Sequence, residues 1–333
     1  MEAQAQNDLQ YSHPFDHRLG DEETLPAPTA RLAVARWRDD GLSPAIETVI
    51  EEVPIALVYN GISQAVMLAS PQDLEDFAVG FSLGERIVSA RQDIFDITVA
   101  VHANGIEMRM RIAGHAMDDL KRQRRQRTGK TGCGLCGIDS LTQFDTDAAG
   151  GTVPECANDE GASRPRIAAA ALHAAMATLG KRQPMHAVTG AVHAAGWARP
   201  DGSVVLVRED VGRHNALDKL IGAMARGDIA PASGFAIVTS RASFEMVQKV
   251  ARAGIGVLAA VSAPSAMAVR MAESAGLTLA GFVRDGRHVI YTHPRRLSES
   301  GADARGDRLT CDANIPAVQS ATLGNNLRPC SAD

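Results

Sequence analysis

Two thiols three residues apart, Cys133 and Cys136, lie in the glycine-rich string RTGKTGCGLCG (127–137), directly behind the basic run KRQRRQR (121–127). A thiolate rather than a thiol attacks sulfur or binds metal, and nearby Lys and Arg charges favour the thiolate. Glycines at 129, 132, 134 and 137 let the backbone bend at little steric cost. Reactive sulfur on a pliable loop suits a group carrier. Three other uses of a CxxC pair compete with that one. A structural zinc site takes four ligands, and the chain has no second CxxC. A thioredoxin-like redox pair follows an apolar strand and opens a helix, whereas this pair follows charge and is set among glycines. An inert pair would be expected among apolar residues. Gly129-Lys130-Thr131 imitates the end of a phosphate-binding loop, but Arg124 stands where that motif requires glycine.

The rest of the chain must position this chemistry. Its 333 residues, 45% of them hydrophobic, suffice for a sizeable core and point to two domains. A formal net charge of -5 argues against a general nucleic-acid partner, while the basic run near residue 125 could face a phosphorylated cofactor or an acidic protein. The N-terminus shows no secretory signal, and the longest apolar stretch, near Ile255–Ala263, is far shorter than the roughly 20 residues of a membrane helix. A soluble, cytoplasmic protein without a membrane partner is expected, and five cysteines fit a reducing compartment.

Residues 1–41 are polar and aperiodic and are expected to lack structure, with order beginning near Pro44. Strand-like runs 46–58 and 62–69 flank Asn60-Gly61, a type I′ hairpin signal. Ser70-Pro71 is expected to cap a helix ending near Ile87, followed by a hairpin over 94–101 and 106–112 and a basic helix over 115–126. This gives a smaller N-terminal α+β domain over 42–126 and a flexible loop carrying CxxC over 127–165. From residue 166 the pattern alternates: helix 166–179, strand 203–207, helix 214–226, strand 235–239, helix 241–253, strand 255–261, helix 264–275 and strand 277–283. Such alternation implies an α/β layer domain, here 166–297, and a structureless tail over 298–333.

In α/β sheets, ligands gather beyond the carboxyl ends of strands, near helix N-termini. Three polar loops answer that description. REDVGRHN (208–215) crowds Glu209, Asp210, Arg213, His214 and Asn215 between a strand and a helix, with Asn215 and Asp218 resembling a cap. TSRAS (239–243) offers Ser240 and Ser243 as caps and Arg241 to an anion. FVRDGRH (282–288) is a turn on Asp285-Gly286 between strand-like runs. TGAVHAAG (189–196) adds His193, read as a core histidine or as the vestige of a zinc deaminase H-x-E element. The chain there reads His193-Ala194-Ala195, without glutamate, and Thr239–Ser243 holds no cysteine.

With TGCGLCG, TGAVHAAG, EDVGRHNALDKLIG, TSRASFEMVQK and AGLTLAGFVRDGR in order over about residues 42–297, the chain resembles the FdhD family of formate dehydrogenase accessory sulfurtransferases. The resemblance implies a fold that is α+β overall, with a cytidine-deaminase-like α/β domain that lacks zinc, and a homodimer. It implies a carrier that takes persulfide sulfur from a cysteine desulfurase. That sulfur then passes to the molybdenum bis(molybdopterin guanine dinucleotide) cofactor, a bound substrate, before its insertion into the formate dehydrogenase catalytic subunit. No structural metal is expected. The family's two carrier cysteines map to Cys133 and Cys136, and its cofactor loop to Val283, Arg284, Asp285, Gly286, Arg287 and His288. Cys133 is expected to be the principal carrier, with Cys136 either sharing the sulfur or resolving it through a disulfide. Two rivals make different claims: a cofactor chaperone whose cysteines only dock a partner, and a dithiol reductase indifferent to molybdenum.

Overall fold

The computed structural model describes residues 24–39, 41–125 and 166–298. Cys133 and Cys136 therefore lie outside the described residues, as do the other three cysteines, the expected unstructured stretch up to residue 23 and the tail from residue 299.

An antiparallel ribbon comes first, β1 (Thr29–Arg38) and β2 (Gly41–Ile50), paired through ten residues from Thr29↔Ile50 to Arg38↔Gly41. The expectation of no structure through residue 41 fails for β1. Its alternating small and large apolar residues are matched across the ribbon, Trp37 against Leu42 and Ala33 against Ile46, and Arg36 pairs with Glu47. Pro44 is tolerated because a two-stranded ribbon has only edge strands. The expected single strand over 46–58 is split at Glu51-Glu52.

The N-terminal domain is a four-stranded sheet in the order β4-β3-β6-β5, built from β3 (Val53–Tyr59), β4 (Ile62–Ala69), β5 (Ile94–His102) and β6 (Gly105–Ile112). Helices α1 (Leu74–Gly84) and α2 (Gly114–Arg125) complete it around a core that includes Ile55, Leu57, Phe77, Met108 and Leu120. Asn60 and Gly61 both take positive φ at the β3–β4 turn, as a type I′ turn requires. Ser70 does not cap α1: Asp73 occupies that position, without a side-chain cap bond, and Ser70 is committed elsewhere.

The second domain begins with β7 (Ile167–Ala168), which pairs with β14 (Leu297–Ser298) at its far end. Its six-stranded sheet has the order β13-β12-β11-β10-β8-β9. The strands are β8 (His193–Ala198), β9 (Val204–Asp210), β10 (Phe235–Val238), β11 (Val257–Ala260), β12 (Thr278–Arg284) and β13 (Arg287–Thr292). Strands β10, β11 and β12 are parallel, and β8 runs against β10. Every residue of β10 and β11 is buried, which is why these strands read as short apolar runs without alternation. Helices α5 (Arg213–Arg226), α6 (Phe244–Arg252) and α7 (Ala266–Ser274) share a core with Ala236, Val238, Leu258 and Leu279. Helix α3 (Ala169–Lys181) shares another with the alternate residues Phe235, Ile237, Val257 and Ala280. Because side chains alternate across a strand, these two cores lie on opposite faces, giving helix, sheet and helix layers. The short α4 (Pro184–Thr189) and strand β8 were not among the expected elements. Among the described residues no helix is long and apolar enough to cross a membrane.

The domains meet where α1 crosses α5. A Cβ on Gly80 would stand 1.7 Å from the carbonyl oxygen of Asp218, and one on Gly222 would stand 1.8 Å from that of Asp76. Only glycine permits this approach of the two backbones.

Candidate functional site

The strand directions bring several loops to one margin of the six-stranded sheet. Parallel β10, β11 and β12 end there, and antiparallel pairing puts the start of β8 and the end of β9 beside them, with Val238↔Ala195 and His193↔Asp210 in register. Residues 208–215, 239–243, 262–265 and the 283–288 turn thus gather at the carboxyl margin where α/β sheets receive ligands.

Most of the charge in 208–215 is spent on structure. Asp210, fully buried, accepts hydrogen bonds from the Ser70 amide (3.0 Å) and hydroxyl (2.9 Å), from Gly212 N–H (2.8 Å) and from the Asn215 amide (3.0 Å), and it faces the buried Lys219 ammonium at 2.7 Å. Glu209 accepts from the Met185 and His186 amides at 3.0 and 2.9 Å, closing the first turn of α4. Arg208 binds Asp76 of α1 at 2.7 Å. Asn215 lies inside α5 and donates to the Leu68 carbonyl, so the expected Asn215–Asp218 cap does not form; Gly212 holds the N-cap position. Asp218 instead faces Lys249 at 2.8 Å, and Lys249 also reaches Glu85 at 3.1 Å.

What remains near the sheet margin is a basic group. His214 lies 2.8 Å from the Glu245 carboxylate of α6. His193, half-buried, is held below the ordinary imidazole range first by burial and then by Arg213, His186 and His214, with Asp210 opposing. Ser243 is the N-cap residue of α6 but makes no side-chain cap bond, and Ser240 donates to the Arg241 carbonyl. The loops after β10 and β11 are tied together by the Ser265 amide on the Ala242 carbonyl at 3.1 Å.

The 283–288 segment is a tight hairpin tip. Arg284 and Arg287 stand directly opposite each other, and Asp285 (φ 53°) and Gly286 (φ 71°) form the type I′ turn between them. Just before it Phe282 has φ 53°, in a register shift between Gly281 and Arg284; positive φ on a bulky residue is strained and marks a place where shape is being enforced. Arg284, Asp285, Gly286 and Arg287 are exposed, and neither arginine has an ion-pair partner among the described residues. Like charges directly opposite on paired strands repel, so the tip presents two guanidinium groups that an anion would relieve. Open space surrounds Gly286, where no atom lies within 4 Å of an added Cβ. Val283 differs from its neighbours: its side chain is fully buried against the α3 core, leaving only its main chain for a ligand. His288 is half-buried, and its Nδ1 lies 3.1 Å from Nε2 of His173 on α3. Burial and that second ring hold His288 below the ordinary range. His173 escaped sequence reasoning because a single histidine in an alanine-rich helix carries no local signal; the contact spans 115 positions.

The model of the FdhD/NarQ family matches residues 50–298. A sulfur carrier protein FdhD of Cupriavidus necator is 51% identical over 289 residues, covering 87% of this chain and 97% of the relative. One of Bordetella petrii is 50% identical over 278 residues, covering 82% and 96%. A solved formate dehydrogenase accessory protein from Desulfotalea psychrophila superposes with a TM-score of 0.62 at 21% identity, covering 82% of this chain and 100% of that one, a likeness of fold.

Proposed function

The chain belongs to the FdhD/NarQ family, and from that premise we propose that it carries sulfur for formate dehydrogenase maturation, delivering it to a molybdenum bis(molybdopterin guanine dinucleotide) substrate held at the 283–288 turn. The single observation that carries the nucleotide half of this reading is the unpaired cross-strand couple Arg284 and Arg287 at the sheet margin. Guanidinium groups match the oxygens of a pyrophosphate. Asp285 accepts from the N–H edge of a guanine, Gly286 lets the backbone come close, and Val283 contributes through its main chain. The strand order β9-β8-β10-β11-β12, with β8 antiparallel to β10, supports a deaminase-like layering of this domain.

The sulfur half rests on the family and on Cys133 and Cys136. The Cys133 thiolate attacks the outer sulfur of a cysteine desulfurase persulfide; the S–S bond breaks, the desulfurase thiolate leaves, and Cys133 becomes a persulfide. Its outer sulfur then passes to the molybdenum substrate. In one arrangement Cys136 attacks the inner sulfur of Cys133, breaking the S–S bond, releasing the outer sulfur as hydrosulfide and closing a disulfide that supplies both electrons. In the other Cys136 only shares the persulfide, and a small-molecule thiol attacks the inner sulfur and supplies them by forming a mixed disulfide. The carrier works in the cytoplasm as a homodimer between the desulfurase and the formate dehydrogenase catalytic subunit.

The test is intact mass after incubation with a desulfurase and cysteine. The expected result is one added sulfur atom, reversed by a thiol reductant, lost in Cys133→Ala and retained at least in part in Cys136→Ala. No adduct on the unmodified protein would sink the sulfur reading and favour a cofactor chaperone.

A further inference from the structure

We infer that His173 is a positioning residue for the nucleotide turn, holding the His288 imidazole in a single tautomer and orientation; this rests on the reading of 283–288 as the nucleotide site. The two rings meet at 3.1 Å between His173 Nε2 and His288 Nδ1, with centroids 5.1 Å apart and planes tilted by 55°. His288 directly follows Arg287 on β13, so its ring leaves the hairpin on the opposite face from the guanidinium couple, the face that packs on α3, and the contact fixes the hairpin from that side.

Both partners are anchored by one core. Leu172, Ala175 and Met176 of α3 and Val283 of β12 belong to the same buried cluster, so the helix and the base of the hairpin move as one packed unit. The His173–His288 contact extends that unit from the base of the hairpin toward its tip. No other hydrogen bond or ion pair from an Arg284–His288 side chain occurs among the described residues.

A hydrogen bond between two imidazoles holds one proton, so one nitrogen donates and the other accepts. A neutral imidazole has one N–H, and fixing the role of Nδ1 therefore fixes that of Nε2. When His173 Nε2–H donates to His288 Nδ1, the hydrogen of His288 sits on Nε2, which becomes a donor. The reverse assignment leaves Nε2 an acceptor, so the contact decides which tautomer His288 adopts and with it how the α3 side of the hairpin is held beneath the exposed tip. Burial beside a second ring disfavours the imidazolium of His288, so the pair governs the placing of a proton rather than a charge. Second partners of this kind commonly set which imidazole nitrogen is free to act.

The experiment uses the full chain, 15N-labelled at histidine, with GDP as the probe. In the unmodified protein the His288 nitrogen shifts report one tautomer rather than a mixture. In His173→Ala they move toward a tautomer mixture, and GDP affinity falls about threefold to tenfold, the effect of one neutral hydrogen bond. His173→Gln, which keeps a side-chain N–H donor, restores most of the affinity. Adding His173→Ala to His288→Ala weakens binding no further. Unchanged His288 shifts and affinity in His173→Ala would overturn the inference, as would an affinity loss that Gln fails to rescue and that tracks a fall in thermal midpoint. Failure of the unmodified protein to bind GDP would instead reject the nucleotide site, while the His288 shifts would still decide whether His173 sets the tautomer.

Discussion

Two charged regions of this molecule obey opposite rules. At the domain junction the carboxylates are buried and crowded with partners: Asp210 with Lys219 and Ser70, Asp218 with Lys249, Asp76 with Arg208 and Arg226. At the β12–β13 tip the ions are exposed, and Arg284 opposes Arg287 with no carboxylate bridging them among the described residues. Buried charge left alone is costly, so the junction must be complete in the folded chain itself. Exposed charge is screened by water, and a protein can leave it uncompensated until a ligand arrives. Charge that the fold has already satisfied holds the domains together, whereas charge it has left over is the better guide to binding.

The sharpest way to break the junction is steric. Gly222→Val is expected to destabilise by more than about 5 kcal/mol, because the new atoms would occupy the Asp76 carbonyl and force α1 away from α5. Gly180→Ala, with no atom within 4 Å of the added Cβ, serves as the control and should leave the denaturation midpoint unchanged or raise it. A Gly222→Val protein melting with its parent would show that α1 and α5 do not depend on this close crossing. Asp210→Ala comes next, at about 3–5 kcal/mol, since it strands the fully buried Lys219 ammonium. Adding Lys219→Met to Asp210→Ala should recover part of that loss in urea denaturation. Were the double variant worse than the single by a full additive share, the pair would not be acting as a pair.

The same contrast explains what was legible in the sequence. Periodicity placed α5, α6, α7 and the buried strands within a few residues, and Asp285-Gly286 announced its turn through φ alone. The tip is local, and local chemistry can be read. The junction is not: Ser70 and Asp210 lie 140 positions apart, and a dense string of charges such as Glu209-Asp210 looks the same whether it awaits a ligand or a distant lysine. Strand β8 hid for a related reason, because it is built from alanines and from Gly196, which packs under Leu179 and Ile237 where an added Cβ would be crowded, and small residues carry little strand preference. Ribbon β1 was missed because arginines interleave its apolar residues and the matching strand begins only at Gly41. The paired thiols announced their chemistry by spacing, and they lie outside the described residues.

The smallest expected effect tests the comparison most directly, because it has opposite signs in two assays. Arg287→Ala should weaken GDP binding about tenfold, the loss of one charge-assisted contact, and the difference should shrink as salt is raised. The same change removes a like-charge neighbour of Arg284 and buries nothing, so the thermal midpoint should hold or rise slightly. A junction residue cannot behave in that way, since any substitution there costs stability before it touches a ligand. If Arg287→Ala lowered the midpoint by several degrees while leaving GDP affinity intact, the tip would be structural like the junction, and the distinction between satisfied and leftover charge would fail for this protein.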